Sequence, residues 1–448
     1  MRIVLSTPVQ AVIKPLQILS AFAGLALAAS THAATDVITA YDQALAGDPQ
    51  LRAARASRDA VREAKPQARA RLLPAVSFEA GVGRVRQDRK NASLTAPSGV
   101  SYFDDNDASL VVVQPVYRKD YWVALEQADA SIAQAEAQYG DAAQDLIIRV
   151  AERYFGVLSG EDDLGFAQAE LKAIGRQLDQ ARQRFDVGLI AITPVHEARA
   201  AFDAAQARVL VAQNALDNAH ESLREVTGQA NPSLEPLHAK IELALPSPSD
   251  PDAWSAQAAE NNLGVIAARN AAEVARSGIE LARSGHHPTV DLVGSHAYSE
   301  SASRSETTAL SLQLSVPLYL GGSVVSATRE AQFRFEQSTE ELERARRSAD
   351  RQVRDAYRGV VSSAGQVEAF RLATVSAQSA LDASEAGFEV GTRTIVDVLN
   401  AQRDLFAARR DYAQSRYNYL LNGLRLKRAA GTLTRADLDA VNRLLGSG

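Results

Sequence analysis

The chain has 448 residues, a formal net charge of −6, a single methionine and no cysteine. Without cysteine it cannot form a disulfide framework, a thiolate metal site or a cysteine nucleophile. The mild acidity and the lack of a basic stripe give no reason to expect a nucleic-acid partner.

Residues 1–33 have the pattern of a secretory signal peptide. Arg2 and Lys14 carry positive charge, an apolar run follows at 16–29, and a small-residue motif precedes Ala34. This apolar run is shorter than the ~20 residues that a helix needs to span a bilayer. We therefore expect export of the chain and cleavage of this segment.

The pattern of residues 34–228 predicts one structural repeat. Helical periodicity changes to the alternation typical of strands, and helical periodicity then resumes. The polar stretch Arg86–Asp107 predicts an exposed loop between two strands. A single long helix follows; it would measure ~100 Å and must pack along helices of similar length. In the last helix Thr193 suits the N-cap and Pro194 the first position. The predicted elements are a helix at 36–73 with a turn at Gly47–Pro49, strands at about 74–86 and 108–117, a long helix at 117–185, a turn at Gly188 and a helix at 194–227.

A proline-rich segment at 229–255 marks the joint to a second repeat at 256–431, and a tail at 432–448 follows. The last strand is the clearest in the chain, because leucine or valine stands at every second position from Leu310 to Leu318, and mostly polar residues stand between them. The predicted elements of this repeat are a helix at 256–285, strands at about 289–299 and 308–319, a long helix at 322–388, a turn at Gly391 and a helix at 394–430.

The two glycine turns are copies of each other, 203 positions apart. In each copy a long helix stops at a glycine, the residue that adopts a left-handed cap at least cost, and another helix leaves. The chain is therefore an internal tandem repeat. The matching pairs are Phe185/Phe388, Val187/Val390, Gly188/Gly391, Ile192/Ile395, Val195/Val398, Ala198/Ala401 and Gly228/Gly431.

The four strands have the length and the apolar/small-polar alternation of strands in an outer-membrane barrel. The edge of a soluble sandwich would allow the same alternation. In lipid, four strands cannot close a barrel and an open edge is not tolerated, so several chains would have to contribute.

The order of strand pair, long helix, glycine turn and long helix, present twice, resembles the TolC family of outer-membrane efflux and type I secretion channels. The similarity covers residues 34–448, with the closest segments at 183–193, 390–399 and 413–421. It implies an α+β fold: a homotrimer with one 12-stranded β-barrel, four strands per protomer, continued by a periplasmic α-helical coiled-coil barrel. The segment 229–255 and the tail 432–448 would form an equatorial belt.

The resemblance places both turns at the closed periplasmic tip and implies a gate there. Asp397 would form a ring of three carboxylates that attracts cations, and Arg393 and Asn400 lie on the same helix face. Locally, Thr394–Asp397 is also a capping-box pattern that would hold the helix start. The two roles of Asp397 can hold together.

Three positions near this gate depart from the family pattern. Asn400 stands where a second acid often follows, Pro194 replaces an acid of the first turn, and Phe388 replaces a tyrosine. We expect a gate held more by packing, with Thr193 beside it, and a weaker cation block. For Arg393 the candidate partners are Asp397 and a neighbouring subunit's Glu197.

The tip motifs resemble those through which the family meets a periplasmic adaptor, although helix capping alone would explain their glycines. The residues concerned are Val187, Gly188, Leu189, Val390, Gly391 and Thr392. The implied partners are this adaptor, an inner-membrane pump or ABC transporter, and outer-membrane lipid. No catalytic set or metal cluster stands out, so we expect a passive channel without cofactor; the alternative is a periplasmic coiled-coil adaptor or scaffold.

Overall fold

A computed structural model describes residues 34–91, 98–230, 233–301 and 303–446, so the predicted signal peptide lies outside the described residues. The described part is mainly helical with one four-stranded antiparallel sheet, which confirms the α+β class. Its helices and strands are α1 (Val37–Gly47), α2 (Pro49–Arg62), α3 (Ala64–Ala70), β1 (Ala75–Arg89), β2 (Gly99–Tyr117), α4 (Lys119–Asp186), α5 (Thr193–Thr227), α6 (Pro251–Asn261), α7 (Leu263–Arg283), β3 (Thr289–Glu300), β4 (Arg304–Ser315), α8 (Ser323–Glu389), α9 (Ile395–Ala429) and α10 (Arg435–Asn442).

Two very long helices dominate the fold. Helix α4 has 68 residues and α8 has 67, so each is ~100 Å long at 1.5 Å per residue. Each packs against the shorter helix that follows it, α4 against α5 and α8 against α9. We call these pairs hairpin 1 (α4–α5) and hairpin 2 (α8–α9). Contacts between α4 and α9 join the two hairpins side by side.

Shorter helices begin at polar caps that interrupt the predicted helical stretches. The turn predicted at Gly47–Pro49 separates α1 from α2, and the Asp48 carboxylate accepts a hydrogen bond of 2.7 Å from the Leu51 amide. The helix predicted at 256–285 is wrong as a single element. It begins earlier and breaks at Asn262, whose side chain accepts from the Val265 amide and so starts α7 as a new helix.

The sheet is a meander in the order β1-β2-β3-β4, with every neighbouring pair antiparallel. In β4 the side chains of Leu310, Leu312 and Leu314 are 77, 66 and 65% exposed. Leu312 lies opposite Leu292 of β3, and Ser311 lies opposite Val293 on the other face. One face of the sheet therefore presents leucines outward.

The first strand pair is longer than predicted, because most of the stretch expected to be a loop is strand. Pairing continues from Gly83↔Asp105 to Arg89↔Gly99, and Arg84 lies 3.7 Å from Asp104 across the two strands. Polar residues are interspersed with apolar ones on both faces of this part, where Val85 lies opposite Phe103, so it lacks the regular alternation that reveals a half-buried strand. Its backbone ladder and cross-strand charges sustain the pairing instead.

The last strand is shorter than predicted and ends at Ser315 rather than at 319. Pro317 has no backbone N–H to donate to a ladder, which explains the early end. In β2 the corresponding Pro115 is tolerated beside an irregularity of register between Pro115 and Tyr117.

The main hydrophobic core surrounds the middle of α4. There the Phe155 ring stacks on Tyr417 of α9 with centroids 5.6 Å apart. Tyr154 donates hydrogen bonds to the carbonyls of Thr35 and Glu235, so the segment between the repeats is tied to this core. The C-terminal part joins through the fully buried Leu438. Both connecting segments thus pack at the mid-height of the long helices.

Candidate functional site

The first turn, Val187–Leu189, closes hairpin 1 with a left-handed glycine. Gly188 has a φ of 75°, and its amide donates to the carbonyl of Phe185 at 2.8 Å. The amide of Leu189 donates to the carbonyl of Arg184, also at 2.8 Å. This pair of bonds is a Schellman motif, which satisfies the last carbonyls of α4.

The second turn, Val390–Thr392, has the same geometry. Gly391 has a φ of 77°, its amide donates to Phe388 at 3.2 Å, and the amide of Thr392 donates to Gly387 at 2.8 Å. The sequence prediction that both glycines occupy left-handed caps is confirmed.

Gly387, which sequence reasoning did not single out, holds the second turn together. Its carbonyl also accepts hydrogen bonds from the hydroxyl of Thr392 and the amide of Arg393, each at 3.1 Å. A Cβ atom at this position would lie 2.6 Å from Cγ of Arg393, so the arginine stem needs a glycine beneath it. The sequence did contain a signal for this role, because glycine has a low helix propensity and is unusual in the last turn of a long helix.

Apolar side chains stand out at the ends of both hairpins. Val187 is 70% exposed, Leu189 73% and Val390 75%. Helix capping accounts for the glycines but not for exposed valines beside both of them. Exposed apolar groups at a tip, next to polar residues such as Thr392, are suited to contact with another protein.

The start of α9 is held by a capping box at Thr394 and Asp397. The Thr394 hydroxyl accepts from the Asp397 amide at 3.3 Å. Carboxylate atom Oδ2 of Asp397 accepts from both the amide and the hydroxyl of Thr394 at 2.8 Å. The local prediction for Asp397 is therefore confirmed.

Hydrogen bonding keeps Asp397 ionised. The Thr394 amide, the Thr394 hydroxyl and then the charge of Arg393 lower the pKa of this carboxyl below its ordinary value. Among the hydrogen bonds of the described residues, none uses the second oxygen, Oδ1. Asp397 can thus hold the helix start with one oxygen and present a charged second oxygen at the turn.

Arg393 and Asn400, predicted to lie on the same face as Asp397, have different surroundings. Within the described ranges, no carboxylate oxygen lies within 4.0 Å of the Arg393 guanidinium. Its charge nevertheless acts on Asp397. Asn400 is exposed and accepts a hydrogen bond of 3.1 Å from Arg403 on its own helix.

The prediction that Thr193 caps α5 is wrong. The N-cap is Ile192, whose φ of −72° and ψ of −23° are already helical, and no side chain of the described residues caps this helix. The Ile192 carbonyl accepts from the amides of Val195 and His196, so the first turn includes Thr193 and Pro194. Because the backbone winds one residue earlier than predicted, Thr193 is an exposed residue inside the helix.

A contact between the hairpins that the sequence did not reveal joins Arg184 to Phe388. The guanidinium carbon of Arg184 lies 4.9 Å from the centre of the Phe388 ring, within the range of a cation–π interaction. Phe388 also packs against the apolar clusters of both hairpins. It therefore forms part of the packing between the turns.

Apolar side chains continue this junction above the turns. Ile395 and Leu399 of α9 are buried with Ile174 and Leu178 of α4, and so belong to the core of hairpin 1. On its other side α9 contributes Val398 and Leu405 to a smaller cluster that includes Leu381 of α8. The two faces of α9 thus link hairpin 2 to hairpin 1.

The described ranges contain no group of three or more His, Asp or Glu side chains that could hold a metal ion. Among the helices described, none is both long and apolar enough to cross a membrane.

Comparison with known families matches this architecture. The family model of the outer membrane efflux protein matches residues 40–229 and 254–432, one stretch in each repeat. The chain is similar to the outer membrane protein TolC of Vibrio cholerae, with 40% identity over 432 residues that cover 94% of this chain and 96% of the relative.

Two further relatives are similar over most of their length. The outer membrane protein TolC of Escherichia coli is 38% identical, over 94% of this chain and 88% of the relative. The alkaline protease secretion protein AprF of Pseudomonas aeruginosa is 30% identical, over 91% of this chain and 87% of the relative.

Solved structures share the fold at lower identity. The CmeC outer membrane channel of Campylobacter jejuni has a TM-score of 0.78 at 14% identity. The match covers 91% of this chain and 89% of the CmeC chain. The CusC channel has a TM-score of 0.77 at 18% identity, and the match covers 88% of this chain and 92% of the CusC chain.

Proposed function

This chain belongs to the outer membrane efflux protein family, and we propose that three copies of it build one channel gated by the turns at Gly188 and Gly391. The protein is an outer-membrane channel of the efflux or type I secretion class, with a large periplasmic portion. The relatives are channel proteins, and the alternative of a periplasmic adaptor is not favoured, because the matched family model covers both repeats.

Assembly from three chains is supported by the sheet. Four strands are too few to close a barrel in lipid, and β1 and β4 are the edges of the sheet within one chain. The outward face carries Leu310, Leu312 and Leu314, which suits contact with lipid. Pairing of β4 with β1 of the next copy would leave no open edge and give twelve strands.

The gate assignment rests on one observation above all, the ionised Asp397 with a second carboxylate oxygen available at the second turn. Three such groups around an axis would attract cations and exclude anions. Arg393 and Asn400 stand beside it. Phe388 and Thr193 belong to the same end of the molecule, with Phe388 contributing packing and Thr193 an exposed hydroxyl.

The exposed tip residues Val187, Leu189 and Val390 would receive a periplasmic adaptor, which couples the channel to an inner-membrane pump or ABC transporter. Gly188, Gly391 and Thr392 set the shape of the turns that present them. Three chains would offer six such turns, which suits an adaptor ring of six-fold symmetry. The channel itself provides a passive path, so the energy for transport comes from the inner-membrane partner.

Single-channel recording in a planar bilayer tests the channel and its gate together. The purified trimer is expected to give a small cation-selective conductance that a trivalent cation blocks. Replacement of Asp397 by alanine removes the ring and should make the conductance resistant to that block. The matched control is Asp217→Ala, which removes an exposed carboxylate from α5 away from the turn.

The possible outcomes separate the parts of the proposal. A conductance whose block is the same with and without Asp397 would leave this residue as a helix cap only. The absence of any conductance from folded trimer would contradict the channel itself.

A further inference from the structure

Helix α7 and its counterpart in the first repeat differ in the number of long helices that cover them. The counterpart is the pair α2–α3, because an offset of 214 positions superposes their N-caps, Asp48 and Asn262. The same offset superposes the buried Leu51 and Val265. Helix α7 packs between α4 and α8, whereas α2 and α3 pack against α4 and make no comparable contact with α8. Within the described residues, one side of α2–α3 therefore lacks the long neighbour that α7 has.

The first turns of α8 form the other uncovered edge. They pack against α7 on one side, while Val325 and Phe333 on another side are 53 and 62% exposed. Because α8 follows β4 and α3 precedes β1, pairing of β4 with β1 of the next copy would bring α8 beside α2–α3 of that copy. The repeat thus indicates that α8 of a second copy covers α2–α3, in the place that α4 takes beside α7.

The contact between α4 and α7 supplies the register for this packing. Gln127 of α4 donates to the backbone carbonyl of Val274 in α7 at 3.0 Å. The equivalent positions are Arg329 of α8, 202 residues later as for the strand-end prolines, and Ala60 of α2, 214 residues earlier. Since α4 leaves a strand and α7 leads into one, these helices run antiparallel, and so would α8 and α2–α3. Ala60 of one copy is then level with Arg329 of the next.

In this register a large side chain meets small ones. Ala53, Ala56 and Ala60 lie three or four residues apart, so they form one exposed stripe on α2. Phe333 of α8 is level with Ala56, where the stripe leaves room for its ring. A ring inserted between small residues of a facing helix is knobs-into-holes packing. The contact would remove from water a phenylalanine that a single chain leaves 62% exposed.

Charges without a partner in one chain lie at the same level. Arg52 and Arg55 are exposed, and among the described residues neither has a carboxylate oxygen within 4.0 Å. Glu336 and Glu340 of α8 are also exposed, and no basic side chain in the described ranges lies within that distance of them. In the antiparallel register, Arg52 is level with the interval between the two glutamates, and Arg55 lies within one turn of Glu336.

The equivalent contact inside the chain lacks this pairing of opposite charges. Gln134 and Gln138 of α4 stand in place of the two glutamates of α8, and Ile266 of α7 stands in place of Arg52. The segment Pro49–Arg71 carries seven basic and two acidic side chains, although the net charge of the chain is −6. Helices α4 and α7 are already joined by the chain itself, whereas separate copies must recognise each other. The opposite charges are thus confined to the edges that separate copies would bring together.

We propose that α2–α3 is the docking surface for the first turns of α8 of a second copy of this chain. Arg52 and Arg55 face Glu336 and Glu340 there, and Phe333 packs on the alanine stripe. This inference rests on the proposed function, because it takes several copies to build one channel. A basic edge and an acidic edge attract each other, while two basic or two acidic edges repel. The charges therefore select the pairing of unlike edges, which is the pairing that closes a ring.

Charge reversal tests this pairing through the half-life of the purified trimer in excess detergent. Arg52→Glu with Arg55→Glu, and separately Glu336→Arg with Glu340→Arg, should each shorten the half-life about tenfold. A chain with all four substitutions should recover to within about threefold of the wild type, because the edges are again complementary. Since α2 and α8 do not pack against each other within one chain, such recovery can arise only between copies.

The matched control reverses two acids on a helix that already has both neighbours. Glu273→Arg with Glu280→Arg removes only ion pairs within α7 and should leave the half-life within about twofold of the wild type. Folding of each variant is checked by circular dichroism.

Disulfide cross-linking tests the register without changing a charge. The chain has no cysteine, so Ala56→Cys with Phe333→Cys introduces the only two thiols. Oxidation with copper–phenanthroline should link copies covalently, as seen on a denaturing gel. Ala56→Cys with Arg347→Cys is the control, because position 347 lies 14 residues, or ~21 Å, further along α8 and is too far for a disulfide.

The outcomes separate this inference from the proposed function. A wild-type half-life in either reversed chain, no recovery in the combined chain, or no cross-link through position 333 in a conducting trimer would overturn the docking surface and leave the channel intact. Loss of bound anionic lipid after arginine reversal, with an unchanged half-life, would also overturn it and assign α2–α3 to lipid headgroups. A wild-type protein that forms no trimer would instead contradict the proposed function itself.

Discussion

The two turns share one backbone design but differ in the side chains that surround it. Both end a long helix with a left-handed glycine and a Schellman motif. After the glycine, hairpin 2 continues with the capping box of Thr394 and Asp397, whereas hairpin 1 continues at Ile192 without a side-chain cap from the described residues. The repeat therefore preserves what the backbone requires, while the residues that carry charge and hold the helix start diverged.

Charged residues are placed differently at the two turns. Position 397 holds aspartate where its equivalent, 194, is proline. Position 400 holds asparagine where its equivalent, Glu197, is acidic. The first two turns of α5 and of α9 thus each keep one carboxylate, but at different heights along the helix. Since Asp397 is tied to the turn backbone, the selective charge should belong to hairpin 2.

The largest effect is expected from a change that breaks the feature common to both turns. Gly391→Pro would force φ from 77° to about −65° and remove the amide that donates to Phe388, at a cost of ~3 kcal/mol or more. Adaptor-dependent export by cells should be lost while the trimer still assembles. Gly188→Pro should do the same, because its geometry matches. Intact export in either variant would contradict the assignment of that turn to the adaptor.

The caps distinguish the two turns more finely. Thr394→Ala removes the hydroxyl of the capping box and should destabilise the start of α9 by ~1 kcal/mol. Thr193→Ala is the matched control and should change stability by less than ~0.5 kcal/mol, because Thr193 is not a cap. Hydrogen–deuterium exchange in the first turns of α5 and α9 measures the effects of both substitutions. Equal effects would mean that the two helix starts are held alike.

A smaller effect is expected at the contact between the turns. Arg184→Gln removes a cation from the face of the Phe388 ring, a contact worth ~0.5–1 kcal/mol at an exposed site. Because Gly387 stands at the equivalent position of hairpin 2, no reciprocal contact can compensate. A modest increase in open probability should follow. Phe388→Leu should remove the sensitivity to Arg184→Gln, and a persistent effect in that background would exclude this contact as its cause.

The smallest effect concerns pH. Because the pKa of Asp397 is lowered in the folded chain, its ionised form stabilises the start of α9 at neutral pH. That contribution is lost as the pH falls through this lowered pKa, below the ordinary value of 3.8. The protection of the amides in the first turn of α9, measured as their exchange rate relative to the intrinsic rate at each pH, should therefore fall at acid pH in the wild type. Asp397→Asn should abolish this pH dependence, and the same acid response in the variant would assign it to another group.

Features set by the local backbone were predictable from the sequence. A glycine between two helical stretches requires a left-handed cap, and Thr394–Asp397 has the spacing of a capping box. The order of strands and long helices, and the family resemblance that it carries, were also accessible. All of these depend on neighbours in the chain, where periodicity and residue type are informative.

Features that depend on distant packing were not predictable. The cation–π contact of Arg184 with Phe388 joins residues of different repeats, and the burial of Gln402 follows from α9 being packed on both sides. The strand pairing of Arg84 with Asp104 was missed because neither side of that ribbon is buried. The prediction that Thr193 caps α5 was wrong because Ile192 already has helical dihedral angles, which residue type does not reveal.

The most direct test of the central claim compares the carboxylates at the starts of α9 and α5, Asp397 and Glu197. Reversal potentials are measured across planar bilayers with unequal salt for the wild type, Asp397→Ala and Glu197→Ala. Cation selectivity should fall strongly in Asp397→Ala and stay close to wild type in Glu197→Ala, because only the second turn is proposed to supply the selective ring. Equal losses, or a larger loss in Glu197→Ala, would contradict the account.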